Sequence, residues 1–226
     1  MLYHKAYELL KNSDSPKLMP DLCANLGDAY VFDNDLPKAA LWYRKALFIA
    51  DSLQLPKVQN ASLYMGLGRI YLLLEDFEAS LNCYQQTEKS FSDLSLNLQA
   101  YFLNNYGNYY YYTKDYQTSL KKFLMLKKLL EKHDKRETFS MYLCKLNLAD
   151  VYLNLNQLDL SDKCLDEVED YMRKNGDETA IYYCNTIRIG QAVKKKDWNT
   201  VARILAGEKS NDQLDFSLLQ IRQQYL

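Results

Sequence analysis

The chain has 226 residues, of which 48% are hydrophobic and 25% charged, and a formal net charge of -1. That balance excludes a disordered chain, and no apolar run approaches the ~20 residues that a bilayer-spanning helix needs. A net charge so near zero gives no long-range field for nucleic acid or an anionic membrane, so neither is expected as a partner of this region. Seven glycines and four prolines are too few for the tight turns of a β-rich fold, which predicts long helices joined by short polar loops. Pro16, Pro20, Pro37 and Pro56 precede or open apolar-periodic stretches, where a missing N–H is harmless.

In chain order, "LYHKAYELL" from Leu2 matches "WYRKALFIA" from Trp42 at an offset of 40 residues. Residues 1 to about 12 are therefore expected to be the second helix of an earlier repeat. Four segments then share one pattern: "NLGDAYVFDNDLPKAALWYRKA" from Asn25, "GLGRIYLLLEDFEASLNCYQQT" from Gly66, "NYGNYYYYTKDYQTSLKKFLML" from Asn105 and "NLADVYLNLNQLDLSDKCLDEV" from Asn147. Each has a small residue (Gly27, Gly68, Gly107, Ala149) and a Tyr three later (Tyr30, Tyr71, Tyr110, Tyr152). A loop follows at Asp35-Leu36, Asp76-Phe77, Asp115-Tyr116 and Gln157-Leu158. A second small residue stands twelve past the first (Ala39, Ser80, Ser119, Ser161), with a large apolar one four beyond (Tyr43, Tyr84, Phe123, Leu165). A degenerate fifth copy has Ile189 at the small position, a loop at Asp197-Trp198, then Val201 and Leu205. "FSLLQIRQQYL" from Phe216 reads as the first helix of one more.

This pattern resembles the tetratricopeptide repeat, and the resemblance covers essentially the whole chain. It implies pairs of antiparallel helices whose small residues let them cross closely while large side chains interlock around the gap. One hairpin cannot bury its apolar face alone, so hairpins stack. The expected fold is all-α: a right-handed superhelical array of helix hairpins without a sheet. The small residues at 27, 68, 107 and 149 are spaced by 41, 39 and 42, longer than the family's ~34. That resembles the long-helix arrays of bacterial signalling regulators and some motor-protein cargo adaptors. The expected organisation is one array over 1–226: a half repeat at 1–15, repeats at about 16–55, 56–94, 95–136, 137–176 and 177–209, and a half repeat at 210–226. An array that starts and stops inside repeats is expected to be part of a longer protein.

Catalysis has little support. The two histidines, His4 and His133, have no partner pattern, and no hydrolase, zinc, P-loop or dinucleotide motif occurs. No enzyme activity, cofactor or metal is expected. Five cysteines (Cys23, Cys83, Cys144, Cys164, Cys184) lie within helical patterns without Cys-x-x-Cys, so they read as core thiols without disulfides. Free thiols lean slightly towards the cytoplasm over the periplasm. "KKK" at Lys194–Lys196 reads as helix-terminal cations that complement the dipole. Asn60-Ala61-Ser62 matches a glycosylation sequon but falls where a helix starts.

Among 20 tyrosines, Tyr109–Tyr112 stand in a row. Helical spacing makes Tyr110 the core residue and turns Tyr111 and Tyr112 elsewhere. In the family that the pattern resembles, first helices line the concave face. That implies groove positions at Ala24, Asn25, Asp28, Phe32, Met65, Arg69, Leu72, Leu73, Asn104, Asn105, Asn108, Tyr111, Tyr112, Leu146, Asn147, Asp150, Leu153 and Asn154. The preferred site residues are Asn25, Asp28, Arg69, Asn104, Asn105, Asn108, Tyr112, Asn147 and Asp150. Asn recurs two before the small residue in three repeats, with Gly66 in its place in the second. A carboxamide both donates and accepts, so a ladder of them suits an extended peptide backbone. The same amides could instead bond neighbouring hairpins. The expected function is a protein- or peptide-binding scaffold, with the sensory or regulatory array of a bacterial signalling protein preferred. The alternative is a structural array that self-associates, for example as a homodimer.

Overall fold

The computed structural model describes residues 16–133, 135, 138–175 and 178–208, together with Lys5, Tyr7 and Glu8. The expected half repeats at 1–15 and 210–226 lie outside the described residues apart from those three. Ten α-helices and no strand are present among the described residues: α1 Met19–Phe32, α2 Leu36–Ser52, α3 Lys57–Leu73, α4 Phe77–Glu88, α5 Leu96–Tyr112, α6 Tyr116–Lys132, α7 Phe139–Asn154, α8 Leu158–Asn175, α9 Glu178–Lys195 and α10 Trp198–Glu208. Helices alternate as first and second members of hairpins, so the protein is an all-α helix-hairpin array. The chain divides into two compact units, one through Asn105 and one from Tyr106 on, with the division inside α5.

Each hairpin turn is built the same way. One residue takes the left-handed conformation: Asn34 (φ 60°), Glu75 (60°), Lys114 (64°), Asn156 (60°) and Lys196 (57°). In four of the five turns the residue after it caps the second helix. Asp35, Asp76, Asp115 and Asp197 each accept the backbone N–H three residues on, at 3.0–3.2 Å, satisfying a donor that the helix start leaves orphaned. Hydrogen bonds from Lys38, Thr118 and Thr200 hold the Asp35, Asp115 and Asp197 carboxyls below their ordinary range.

In the first unit the hairpins α1–α2 and α3–α4 close over Leu26, Tyr43, Ile70 and Tyr84, all at most 6% exposed. In the second, α7, α8 and α9 pack around Ala149, Leu165, Val168, Met172, Cys184 and Ile187. The small residues are the crossing points. A Cβ on Gly107 would stand 2.7 Å from the Phe123 ring, and one on Gly27 would stand 2.4 Å from the Tyr43 ring. The second small position does more than make room. Ser80, Ser119 and Ser161 donate buried hydrogen bonds to the carbonyls of Gly68, Gly107 and Ala149 at 2.8, 2.9 and 2.7 Å. A hydroxyl thus staples second helix to first in three hairpins, and Ala39 lacks it.

The tyrosine three past the small residue is not a core residue. Tyr30, Tyr71, Tyr110 and Tyr152 are all half-buried. In the tyrosine row it is Tyr109, 7% exposed, that is buried, together with Tyr106 at 3%. Tyr110 lies beside them with its hydroxyl 3.2 Å from that of Tyr106. Residue 109 falls on the stripe that α5 buries, whereas residue 110 lies 100° round at its edge.

Candidate functional site

The first helices of the hairpins are α1, α3, α5, α7 and α9. On them the structure sorts the expected groove residues by accessibility. Met65 (0% exposed), Leu72 (4%), Leu146 (8%) and Leu153 (8%) are core residues, so those expected groove positions are corrected. The apolar choices pack inward because each first helix is covered on more than one side.

In the first unit, Asn25 and Asp28 are exposed on α1, one turn apart. Asp28 Oδ1 accepts the Tyr43 hydroxyl at 2.8 Å and faces the Arg69 guanidinium at 3.4 Å. The Asp28 side chain is 54% exposed and that of Arg69 11%, so the carboxylate forms the outer surface and the cation lies behind it. Tyr43 belongs to the second helix α2, yet its hydroxyl emerges at the first-helix face. It gets there between two glycines: a Cβ on Gly27 would meet its Cδ2 at 2.4 Å and one on Gly66 its Cε1 at 2.2 Å. Burial first, then the Asp28 charge, pushes the Tyr43 hydroxyl far above its ordinary value, so it remains a donor across the physiological range. On α5, Asn104 is 9% and Asn105 0% exposed. Asn105 Nδ2 donates to the Tyr101 carbonyl at 3.0 Å. Its buried Oδ1 has no hydrogen-bond partner among the described residues.

In the second unit, Asn108 is 6% exposed, and Tyr112, Asn147 and Asp150 are half-buried. Asp150 hydrogen-bonds the Tyr111 hydroxyl. Asn154 Nδ2 donates to the Asp150 carbonyl and carboxylate at 2.9 and 3.3 Å, and to the Tyr111 hydroxyl at 3.4 Å. The Tyr111 ring meets those of Tyr112 and Tyr116 edge-on at 5.5 and 5.6 Å.

Arg188 on α9 binds three carboxylates of α8: Glu169 at 2.7 Å, Asp166 at 2.9 Å and Asp162 at 3.7 Å. Lys194, expected to complement its own helix, donates to the Leu153 carbonyl at the end of α7 at 2.7 Å. The five cysteines are free thiols, four of them buried. Burial pushes Cys23 and Cys164 up to about 11 and Cys83 and Cys184 to about 12. Among the described residues no group of His, Cys, Asp and Glu is placed to hold a metal ion. None of the described helices is long and apolar enough to cross a membrane.

Residues 61–87 match the sequence model of the tetratricopeptide repeat. No curated protein sequence matches the chain. Among solved structures, the fold is similar to that of a Rap protein complexed with competence and sporulation factor, at TM-score 0.73 and 15% identity over 99% of this chain and 61% of that one. It is similar to aspartyl phosphate phosphatase F from Bacillus subtilis, at TM-score 0.72 and 14% identity over 92% of this chain and 54% of that one. TPR-like repeats of a Podosopora anserina kinesin-light-chain-type protein align at TM-score 0.69 and 11% identity, over 89% of this chain and all of that one. The chain thus spans little more than half the length of the first two. The fold is thus that of an array of tetratricopeptide-type helix hairpins, and residues 61–87 carry the repeat's sequence pattern.

Proposed function

We propose that the protein is a binding scaffold that takes an extended segment of another polypeptide on its first helices. The observation that carries this reading is the set of accessible polar side chains on first helices: the exposed Asn25 and Asp28 in the first unit, and the half-buried Asn147, Asp150 and Tyr112 in the second. Asn105, expected among them, is wholly buried and bonds its own helix at the Tyr101 carbonyl, so it is not a contact residue. Backbone recognition by such groups reads few side chains, which suits an extended partner.

Within this reading we favour one array over 1–226, a regulatory part of a larger bacterial signalling protein. The Rap complex with competence and sporulation factor supports that preference by analogy of fold alone. A self-associating structural array is the second reading. It rests on exposed apolar residues on second helices, such as Leu41 (56%) and Phe48 (73%) on α2.

The test starts with heptapeptides selected from a random display library on the intact protein. Titration calorimetry then compares the wild type with the Asn108→Ala/Asn147→Ala double variant. Binding is expected to weaken ten- to a hundredfold, since ~1.4 kcal/mol is one factor of ten and each amide bond contributes ~0.5–1.5 kcal/mol. Helicity should stay the same. Unchanged affinity together with a melting point several degrees lower would make the amides hairpin-to-hairpin glue and sink the reading.

A further inference from the structure

We propose that the outer face of α6 is a second docking surface, whose occupant is an amphipathic helix of a partner polypeptide with acidic side chains on either side of apolar ones. This surface lies on a second helix, so it is separate from the first-helix surface and does not depend on it.

α6 holds five lysines against one glutamate, and it buries Ser119, Phe123, Leu126 and Leu130. On the opposite side, helical spacing brings Lys121, Met125, Lys128 and Lys132 into one stripe, with Leu124 at its edge. All five are exposed, Leu124 to 41% and Met125 to 50%. The positive charge of the stripe is largely uncompensated. Glu131, the one acid of the helix, pairs with Lys127 at 3.7 Å. Asp115, within electrostatic reach of Lys121, is engaged as the helix cap and hydrogen-bonded by Thr118. Among the described residues, Lys128 and Lys132 make no ion pair or hydrogen bond.

The order of residues along the stripe defines the occupant. Lys121 and Lys128, two turns or ~10.5 Å apart, flank the apolar pair Leu124 and Met125. Two other second helices do not repeat this in the same register: α4 has Asn82, Gln85 and Lys89, and α8 has Lys163, Asp166 and Asp170. A solvated face needs no apolar pair, and taking that pair out of water favours association. The flanking ammoniums select carboxylates by complementary charge. A helix laid along α6 repeats its side chains in the same steps. It can cover the apolar pair and meet both lysines at once, as core and flanking charges do in paired helices. An extended segment repeats on one face every ~7 Å and falls out of step. A nucleic-acid backbone would meet the lysines but leave the apolar pair in water. An anionic bilayer would take up only two part-covered apolar side chains, too few to anchor the surface.

The experiment titrates the intact 15N-labelled protein with three acetylated and amidated helical peptides, read by amide shifts. The first sets glutamates one turn either side of a leucine pair. In the second, lysines replace the glutamates, and in the third, serines replace the leucines. A short DNA duplex and phosphatidylserine vesicles are run alongside. The first peptide is expected to bind at least ~10-fold more tightly than the other two, with shifts centred on residues 117–132. Lys121→Glu/Lys128→Glu is expected to reverse the preference, so that the lysine peptide becomes the tighter ligand. Met125→Ser should weaken binding of the first peptide, and melting temperatures should stay unchanged in both variants. Equal binding of the serine peptide would make the stripe a plain charged surface and overturn the proposal. A preference that survives the charge reversal overturns it too, as does tighter binding to the duplex or the vesicles, or no shift on α6 with any peptide. Shifts confined to first helices would overturn this surface while leaving the first-helix reading standing.

Discussion

Gly66 occupies the position that holds Asn25, Asn105 and Asn147 in the other repeats, and the structure gives a steric reason. A Cβ there would lie 2.2 Å from Tyr43 Cε1, 2.5 Å from Cζ and 2.6 Å from the hydroxyl. Ordinary contact begins near ~3.4 Å, so the ring would have to retreat by more than an ångström. It cannot retreat towards α1, where Gly27 already approaches it so closely that a Cβ would stand 2.4 Å away. Overpacking of a core costs ~1–3 kcal/mol, and a clash this deep belongs at the upper end. Against it, Ala gains ~1 kcal/mol over Gly in a helix interior. Gly66→Ala is therefore expected to destabilise by a net ~1–2 kcal/mol. Gly68→Ala, two residues on, is the control. Its nearest contacts would be 3.1–3.3 Å, a few tenths too close, so the propensity gain roughly offsets the strain. Urea unfolding followed by circular dichroism separates the two variants. A third, Gly66→Ala in a Tyr43→Leu background, should lose the penalty and gain stability relative to Tyr43→Leu alone. If Gly66→Ala stabilises like an ordinary helical glycine substitution, the Tyr43 passage between the two glycines is refuted, and with it the reason for holding Asp28.

Lys114→Gly should stabilise by ~0.5–1 kcal/mol, because Lys114 holds φ 64° where only glycine is unstrained; a loss of stability would mean that the side chain, not the backbone, matters there. Gly107→Leu should cost ~1–3 kcal/mol or prevent folding, since even a Cβ would meet Phe123 at 2.7 Å, and an unchanged melting temperature would refute the crossing point. Ser119→Ala should cost ~1 kcal/mol by removing the buried bond to Gly107, seen as a small drop in urea midpoint. Stability should also fall in alkali. The thiols of Cys23, Cys83, Cys164 and Cys184 are raised from 9.0 to about 11–12 in the fold, so the native state holds protons that the unfolded chain releases. That contribution is complete below pH ~9 and is lost progressively as pH rises towards ~12. A urea midpoint that is flat from pH 8 to 11 would contradict it, as would rapid alkylation of the native thiols at pH 7.5.

The hairpins were legible because their constraints are local and recur. The small residue, the loop acid and the large residue four past the second small one are each set by a helix crossing or a cap, and spacing alone exposes them. The serine staples could have been anticipated from the same register. Residue twelve past the crossing must be small, and among small residues only Ser carries a donor for the carbonyl it faces. The site was less legible, because accessibility is set by what neighbouring helices cover. Position two before the crossing holds Asn in three repeats, yet Asn25 is exposed, Asn147 half-buried and Asn105 wholly buried. The same residue in the same register therefore has three different environments. Tyr43 illustrates the limit from the other side. Its place on a second helix marked it as core, and its ring is core, but its hydroxyl reaches Asp28 fifteen residues back. Only the joint presence of Gly27 and Gly66, 39 positions apart, opens that path, and each glycine alone reads as an ordinary close crossing. A functional position in a repeat array is thus fixed by pairs of residues in different hairpins, and such pairs are what a per-repeat pattern averages away.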